Sequence, residues 1–266
     1  MRFKSLIGKA IQLREAAPSM WQPFIRGWLG RLHRDSVPCL LPGTAKLLHV
    51  PLRDFYDGYQ FFCETGQGRK ELTAFLARLK PGDVLYDIGG FRGVYSAASK
   101  LKLGNEIEIH AFEPLTENNR AITRICELNS FTNVKVVPEA VGAGETVSGA
   151  VSSSDGMLRF GDSRPAVAVK MHSISLDDYI QRGFASPSIM KIDVEGYEWA
   201  VLSGARECLE RCRPRLWLEL HPGFLQGQGK SWKELLDWLR SIGYTIDFFW
   251  DYNLPAAKIA FHVWCV

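Results

Sequence analysis

The chain has 266 residues, 46% of them hydrophobic and 23% charged, a size and composition that can bury one large α/β core. Its formal net charge of +3 is uneven: residues 1–50 carry eight basic and two acidic side chains, a net +6, and the rest carry 24 against 27, a net −3. The main body therefore shows no basic groove for nucleic acid. No apolar stretch is long and charge-free enough to span a bilayer, and no small-residue cleavage site follows the basic opening, so no signal peptide is read. Six cysteines without Cys-x-x-Cys spacing imply reduced, mostly buried thiols in a cytoplasmic protein rather than disulfides or zinc.

In chain order, residues 1–45 form a basic extension. Leu6, Ile7, Ala10 and Ile11, then Trp21, Phe24, Ile25, Trp28, Leu29 and Leu32, recur at helical spacing, and Pro18 and Pro23 divide them into two short amphipathic helices. Such a stripe packs on its own domain more often than on a membrane surface or a partner, so packing is the preferred reading and peripheral membrane contact the minority one. Pro38, Pro42 and Gly43 mark the boundary with a main domain, 46–266. Strands are expected at 83–88, 106–112, 134–137, 188–194 and 215–220, and helices at 96–102, 117–128, 199–212 and 232–242. The segment 147–169, with its Ser and Gly content, reads as a hairpin and loop, and 171–174 as a continuing edge strand. Segments 244–249 and 258–264 close the sheet as a C-terminal antiparallel pair. This alternation describes an α/β fold with a mostly parallel, doubly wound sheet.

The first of these strands ends in Asp87-Ile88-Gly89-Gly90-Phe91-Arg92-Gly93. A glycine-rich turn at a strand end delivers backbone amides, and Asp87 one carboxylate, to a nucleotide-like ligand at the mouth of a parallel sheet. The helix that follows adds its N-terminal dipole. About 20 residues on, Phe112-Glu113-Pro114 ends the second strand, where Glu113 can accept hydrogen bonds from both hydroxyls of a ribose. The turn is not a nicotinamide fingerprint, because Phe91 stands where the middle glycine of Gly-x-Gly-x-x-Gly would fall.

The array Asp87-x-Gly89-x-x-x-Gly93 resembles motif I of S-adenosylmethionine-dependent methyltransferases. With Phe112-Glu113-Pro114, Ala140-Val141-Gly142, Leu176-Asp177-Asp178-Tyr179 and Met190-Lys191-Ile192-Asp193-Val194-Glu195-Gly196-Tyr197-Glu198 in order, the chain resembles the FkbM methyltransferase family over residues 47–221. The resemblance implies a Rossmann-like class I methyltransferase fold, S-adenosylmethionine as cofactor, and O-methylation of a hydroxyl on a sugar or other secondary metabolite. Family members usually carry Ala-Asn after the first glycine, where this chain has Gly90-Phe91; Arg92 is a candidate replacement contact for the cofactor's carboxylate. The expected cofactor contacts are Asp87, Gly89, Gly90, Phe91, Arg92, Gly93, Glu113, Pro114 and Asp193, with the adenine near Glu139, Ala140 and Val141.

A second constellation follows from the strand period. Asp193 and Glu195 point to one side, as do Glu219 and His221, at the C-terminal ends of neighbouring parallel strands. An aliphatic hydroxyl is a weak nucleophile until its proton leaves, and a carboxylate or neutral imidazole can take it. Asp193 or His221 is the expected base, with Glu195 and Glu219 orienting it or the acceptor. The same donors could hold a divalent cation; the metal-free reading is preferred. Trp217, Trp232, Trp238, Trp250 and Tyr252 are read as core rather than sugar-stacking residues. Two other classes stay open: an NAD(P)-dependent oxidoreductase and a non-catalytic Rossmann-like binding protein.

Overall fold

The structure, a computed structural model, describes residues 36–152, 157–160, 166–249 and 260–266. The two helices expected in the extension, together with Trp250 and Tyr252, lie outside the described residues. Strands β1 (Ser36–Leu40) and β2 (Leu47–Pro51) form an antiparallel hairpin. The segment marked as a domain boundary is the tip of this hairpin, and Leu41, Leu48 and Val50 are fully buried on either side of it. Helix α1 covers 52–64 with a π-helical stretch at Phe55–Tyr59. Thr65 caps α2 (Gly66–Ala77), its hydroxyl accepting from the Gly68 amide at 3.0 Å.

The main sheet then alternates strand and helix. Its strands are β3 (Val84–Ile88), β4 (Glu108–Phe112), β5 (Val134–Val137), β10 (Ile189–Ile192), β11 (Arg215–Leu220), β12 (Ile246–Phe248) and β13 (Phe261–Cys265), and its order is β12-β13-β11-β10-β3-β4-β5. The five strands from β11 to β5 are parallel, and β13 runs antiparallel to both β11 and β12. Alternate residues serve opposite faces. Tyr86, Ile88, Met190, Ile192 and Leu218 enter one core, and Leu85, Ile109, Ile189 and Trp217 the other. Helices cover both faces, as near-continuous apolar parallel strands require. The winding reverses between β3 and β10, and such a reversal opens a crevice at the strands' C-terminal ends.

Between β5 and β10 the chain forms β6 (Ala140–Val141), β7 (Thr146–Ser152), β8 (Leu158–Arg159) and β9 (Ala166–Ile174), a separate sheet of order β6-β9-β7-β8. The expected edge strand at 171–174 is thus the end of β9, on this second sheet. The helices are α3 (Val94–Leu103), α4 (Thr116–Leu128), α5 (Leu176–Gln181), α6 (Glu198–Ser203), α7 (Arg206–Arg211), α8 (Pro222–Gly227) and α9 (Trp232–Ser241). The single helix expected over 199–212 is two. At Gly204 a Cβ would lie 1.8 Å from the Gly142 carbonyl oxygen, and beyond it the Asp177 carboxylate accepts from the Glu207 and Cys208 amides and starts α7 afresh. The expected strand 188–194 stops at Ile192, because Glu195 and Gly196 turn the chain with φ of 52° and 104°. All six cysteines are free, with Cys212 exposed. Among the described residues no helix is long and apolar enough to cross a membrane.

Candidate active site

At the end of β3, Gly89 has φ of 76°, and a Cβ there would stand 1.8 Å from the Asp193 carbonyl oxygen. Only glycine lets the C-terminal ends of β3 and β10 come this close. The Gly89 and Gly90 amides donate to the Phe112 carbonyl, both at 3.0 Å. Phe91, although not glycine, holds a left-handed φ of 46°, a conformation that Asn tolerates better than an aromatic residue does. Its amide donates to Glu113 Oε2 at 2.9 Å, and the Leu115 amide donates to Oε1 at 2.9 Å. Burial pushes the Glu113 carboxyl up against these bonds.

Four of the expected cofactor contacts have other roles. Asp87 is fully buried and accepts from the Ser96 amide and hydroxyl at 3.2 and 2.6 Å, with Lys191 Nζ 3.6 Å away. It builds the start of α3 instead of facing a ligand. Arg92, 4% exposed, is committed to Asp54 and Asp57 of α1 at 3.4 and 3.3 Å, so it does not reach toward a cofactor carboxylate. Gly90 and Gly93 pack on the Ile122 side chain of α4.

The remaining contacts line a partly open cavity at the reversal point. Gly89 and Phe91 form one wall, Glu113, Pro114 and Asn118 the next, and Glu139, Ala140 and Val141 a third. Asp193, Glu195 and Tyr197 supply the floor, while Met157, Leu158 and Phe160 close the side toward the second sheet. Phe160 stacks on Tyr197 with centroids 4.5 Å apart.

Behind the floor, the four expected polar residues converge. His221 Nε2 lies 4.0 Å from Asp193 Oδ1, 3.8 Å from Glu195 Oε2 and 3.9 Å from Glu219 Oε1. Its other nitrogen, Nδ1, is 2.7 Å from Glu198 Oε1. Lys191 reaches Asp193 Oδ2 at 3.4 Å, His262 reaches Glu219 Oε2 at 3.2 Å, and Arg159 reaches Glu195 Oε2 at 3.4 Å. From Glu219 the polar chain continues through His262 to Glu71, 3.5 Å away, and on to the Tyr95 hydroxyl.

Charge and burial set the protonation states. Burial pushes Glu195 up to about 7, Asp193 adding to the rise while His221 and Arg159 oppose it. Asp193 is raised by burial and by Glu219, against Lys191 and His221. Glu219 is buried too, yet His262, His221 and Lys191 hold it well below the usual carboxylate range. Burial alone would pull the His221 imidazole down; the Glu198 bond and the Glu219 and Asp193 charges outweigh it and push it up to about 10. Of the four, Asp193 and Glu195 line the cavity, and Glu219 and His221 stand outside its lining. Donor atoms of Asp193, Glu219 and His221 all lie within 4.8 Å of one another, so this set could also hold a cation.

Residues 87–246 match a family model described as the Methyltransferase FkbM domain. The chain belongs to the FkbM methyltransferase family. Among curated proteins it is similar to the hexuronic acid methyltransferase AglP of Haloferax volcanii, 28% identical over 164 residues that make up 57% of this chain and 62% of that one. The chain thus spans under two thirds of that relative. Among solved structures it is similar to a methyltransferase FkbM from Methylobacillus flagellatus, with a TM-score of 0.51, 17% identity, and coverage of 80% of this chain and 54% of the other. The fold is that of the Rossmann-like class I methyltransferases.

Several residues around this FkbM site escape a sequence reading. Lys191 is one with a visible signal, a lone cation inside the apolar strand Ile189-Met190-Lys191-Ile192. It sits beside Asp87 in the β3–β10 register. His262 faces Glu219 across β11 and β13, and Glu71 arrives from α2; neither pairing shows in the order of residues. Met157, Leu158 and Phe160 come from the segment read as loop.

Proposed function

We propose that this FkbM-family methyltransferase transfers the methyl group of S-adenosylmethionine to a hydroxyl of a sugar acceptor, with a uronic acid as the first class to try. The observation that carries the reading is that Glu113, Asp193 and Glu195 line one and the same cavity. Glu113 accepts from the Phe91 and Leu115 amides and from the Asn118 side chain; a carboxylate has about four acceptor positions, which leaves capacity for a ribose hydroxyl. Ala140 and Val141 offer an apolar face for the adenine, and the Gly89–Phe91 edge leads toward Asp193. The methyl-transfer activity of the curated relative on hexuronic acid supports a carbohydrate acceptor.

When bound, S-adenosylmethionine supplies an electrophilic methyl carbon on a sulfonium. The protein's part is to hold the acceptor oxygen in line with that carbon, reacting atoms roughly 3 to 3.5 Å apart. As the oxygen–carbon bond forms and the carbon–sulfur bond breaks, the hydroxyl proton passes to a carboxylate at the cavity floor, and the sulfur keeps the bonding electrons. Asp193 and Glu195 line the cavity and are placed for that task. An NAD(P)-dependent oxidoreductase is displaced by the family match. Incubation with S-adenosylmethionine and a panel of uronic acids and neutral sugars should yield a product heavier by about 14 Da, read by mass spectrometry. No such product from any hydroxyl acceptor, with a cofactor-binding protein in hand, would favour the non-catalytic binding protein.

A further inference from the structure

The donors behind the cavity floor are spaced too widely for one another and are each held from the far side. His221 Nε2 has no hydrogen bond among the described residues; the oxygens it faces stand 3.8 to 4.0 Å away, beyond the reach of an N–H···O bond. The residue as a whole is 4% exposed. Glu198 takes Nδ1 at 2.7 Å, which turns Nε2 inward. Lys191 takes Asp193 Oδ2, leaving Oδ1 inward, and His262 takes Glu219 Oε2, leaving Oε1 inward. Three donors, one just past the end of β10 and two at the end of β11, are thus oriented by partners on their outer atoms, the arrangement that fixes metal ligands.

We infer that Asp193, Glu219 and His221 form a site for one divalent cation of the Mg²⁺ or Mn²⁺ class. An ion about 2.1 Å from each donor in octahedral geometry places neighbouring donors about 3.0 Å apart and opposite donors about 4.2 Å apart. His221 Nε2 stands 3.9 and 4.0 Å from the Glu219 and Asp193 oxygens, wider than the neighbouring-donor spacing, so binding draws the three side chains inward by up to about 1 Å. Charge favours the same occupant. Asp193, Glu195, Glu198 and Glu219 crowd around His221, while among the described residues Lys191, Arg159 and His262 oppose them at ion-pair distance. A divalent cation takes the place of the imidazole proton and turns a buried cluster of carboxylates into a coordination shell. The site lies against Asp193 and Glu195 of the cavity floor, so an acceptor hydroxyl that completes the shell would lose its proton more readily. That role rests on the methyl-transfer reading; the site itself does not.

The test uses the full chain, freed of metal by chelator and dialysis, without cofactor or acceptor. Titration with Mn²⁺, followed by loss of the free-ion electron paramagnetic resonance signal, should show one ion bound per chain at micromolar protein. Pulsed spectra should carry the coupling of an imidazole nitrogen. Asp193→Asn and Glu219→Gln should each weaken binding, and Glu198→Gln, which alters the contact that orients the ring, should weaken it by about 10- to 100-fold. Glu210→Gln, on an exposed helix face, should change nothing. An undiminished free-ion signal with wild-type protein overturns the inference, as does binding that lacks the nitrogen coupling or is equal in wild type and in folded Asp193→Asn. Because the wild-type readouts need no variant, misfolding of a variant does not spare the proposal. Calorimetry with S-adenosylmethionine is run separately, so failure of the metal site and failure of the methyl-transfer reading give different results.

Discussion

Asp193 is where the residues of this site carry the most weight. Its backbone carbonyl lies against Gly89, its Oδ2 against Lys191 and its Oδ1 against His221, so one residue links the cofactor turn to the polar cluster. Asp193→Asn preserves the shape and removes the charge. Turnover should fall by about 10²- to 10⁴-fold, the share general-base catalysis supplies, while S-adenosylmethionine affinity stays nearly unchanged. Steady-state kinetics beside calorimetry measures both; equal activity in the variant would take Asp193 out of the chemistry. The convergence of Asp193, Glu195, Glu219 and His221 was legible because each stands at or just past the end of a parallel strand. The protein partners of Asp87 and Arg92, Ser96 and Lys191 for one and Asp54 and Asp57 for the other, were not legible, because they are fixed by packing that a linear reading cannot see. Phe91 in a left-handed turn was legible only as a departure from Asn, not as strain.

Among the elements, the break between α6 and α7 shows how one close approach overrides a periodic pattern. A glycine inside a helical stretch costs only about 1 kcal/mol against alanine, so the periodicity across 199–212 outweighs Gly204 in the sequence. The Gly142 carbonyl decides otherwise. Gly204→Ala should destabilise the protein by about 3 kcal/mol, at the upper end of overpacking costs, because backbone and not a flexible side chain stands in the way. A drop in the urea midpoint at unchanged slope would show it; a neutral or stabilising effect would mean that α6 and α7 can part freely. Strands β5 and β11 were read to their ends because apolar β-branched or bulky runs are bounded by turn residues. The β7–β9 hairpin was only partly legible, since Ser, Gly and Ala along β7 look like a loop until β9 pairs with it.

At the scale of the molecule, the doubly wound order follows from strands that alternate with helices and from apolar faces on both sides of the sheet. The antiparallel C-terminal pair was legible, but not that β13 enters between β11 and β12; sequence neighbours say nothing of which strand takes the inner place. That insertion brings His262 to Glu219 and completes the polar cluster. The order also leaves the reversal between β3 and β10 as the one place where Glu113 and Asp193 share a cavity, and cofactor binding there is the claim on which the rest depends. Calorimetric titration of wild type and Glu113→Ala with S-adenosylhomocysteine tests it most directly. Wild type should bind one molecule per chain, and the variant, which leaves ribose hydroxyls unpaired, should lose about 1 to 3 kcal/mol of affinity. No heat with wild type at protein well above micromolar concentration, or equal affinity in the two proteins, would contradict the account.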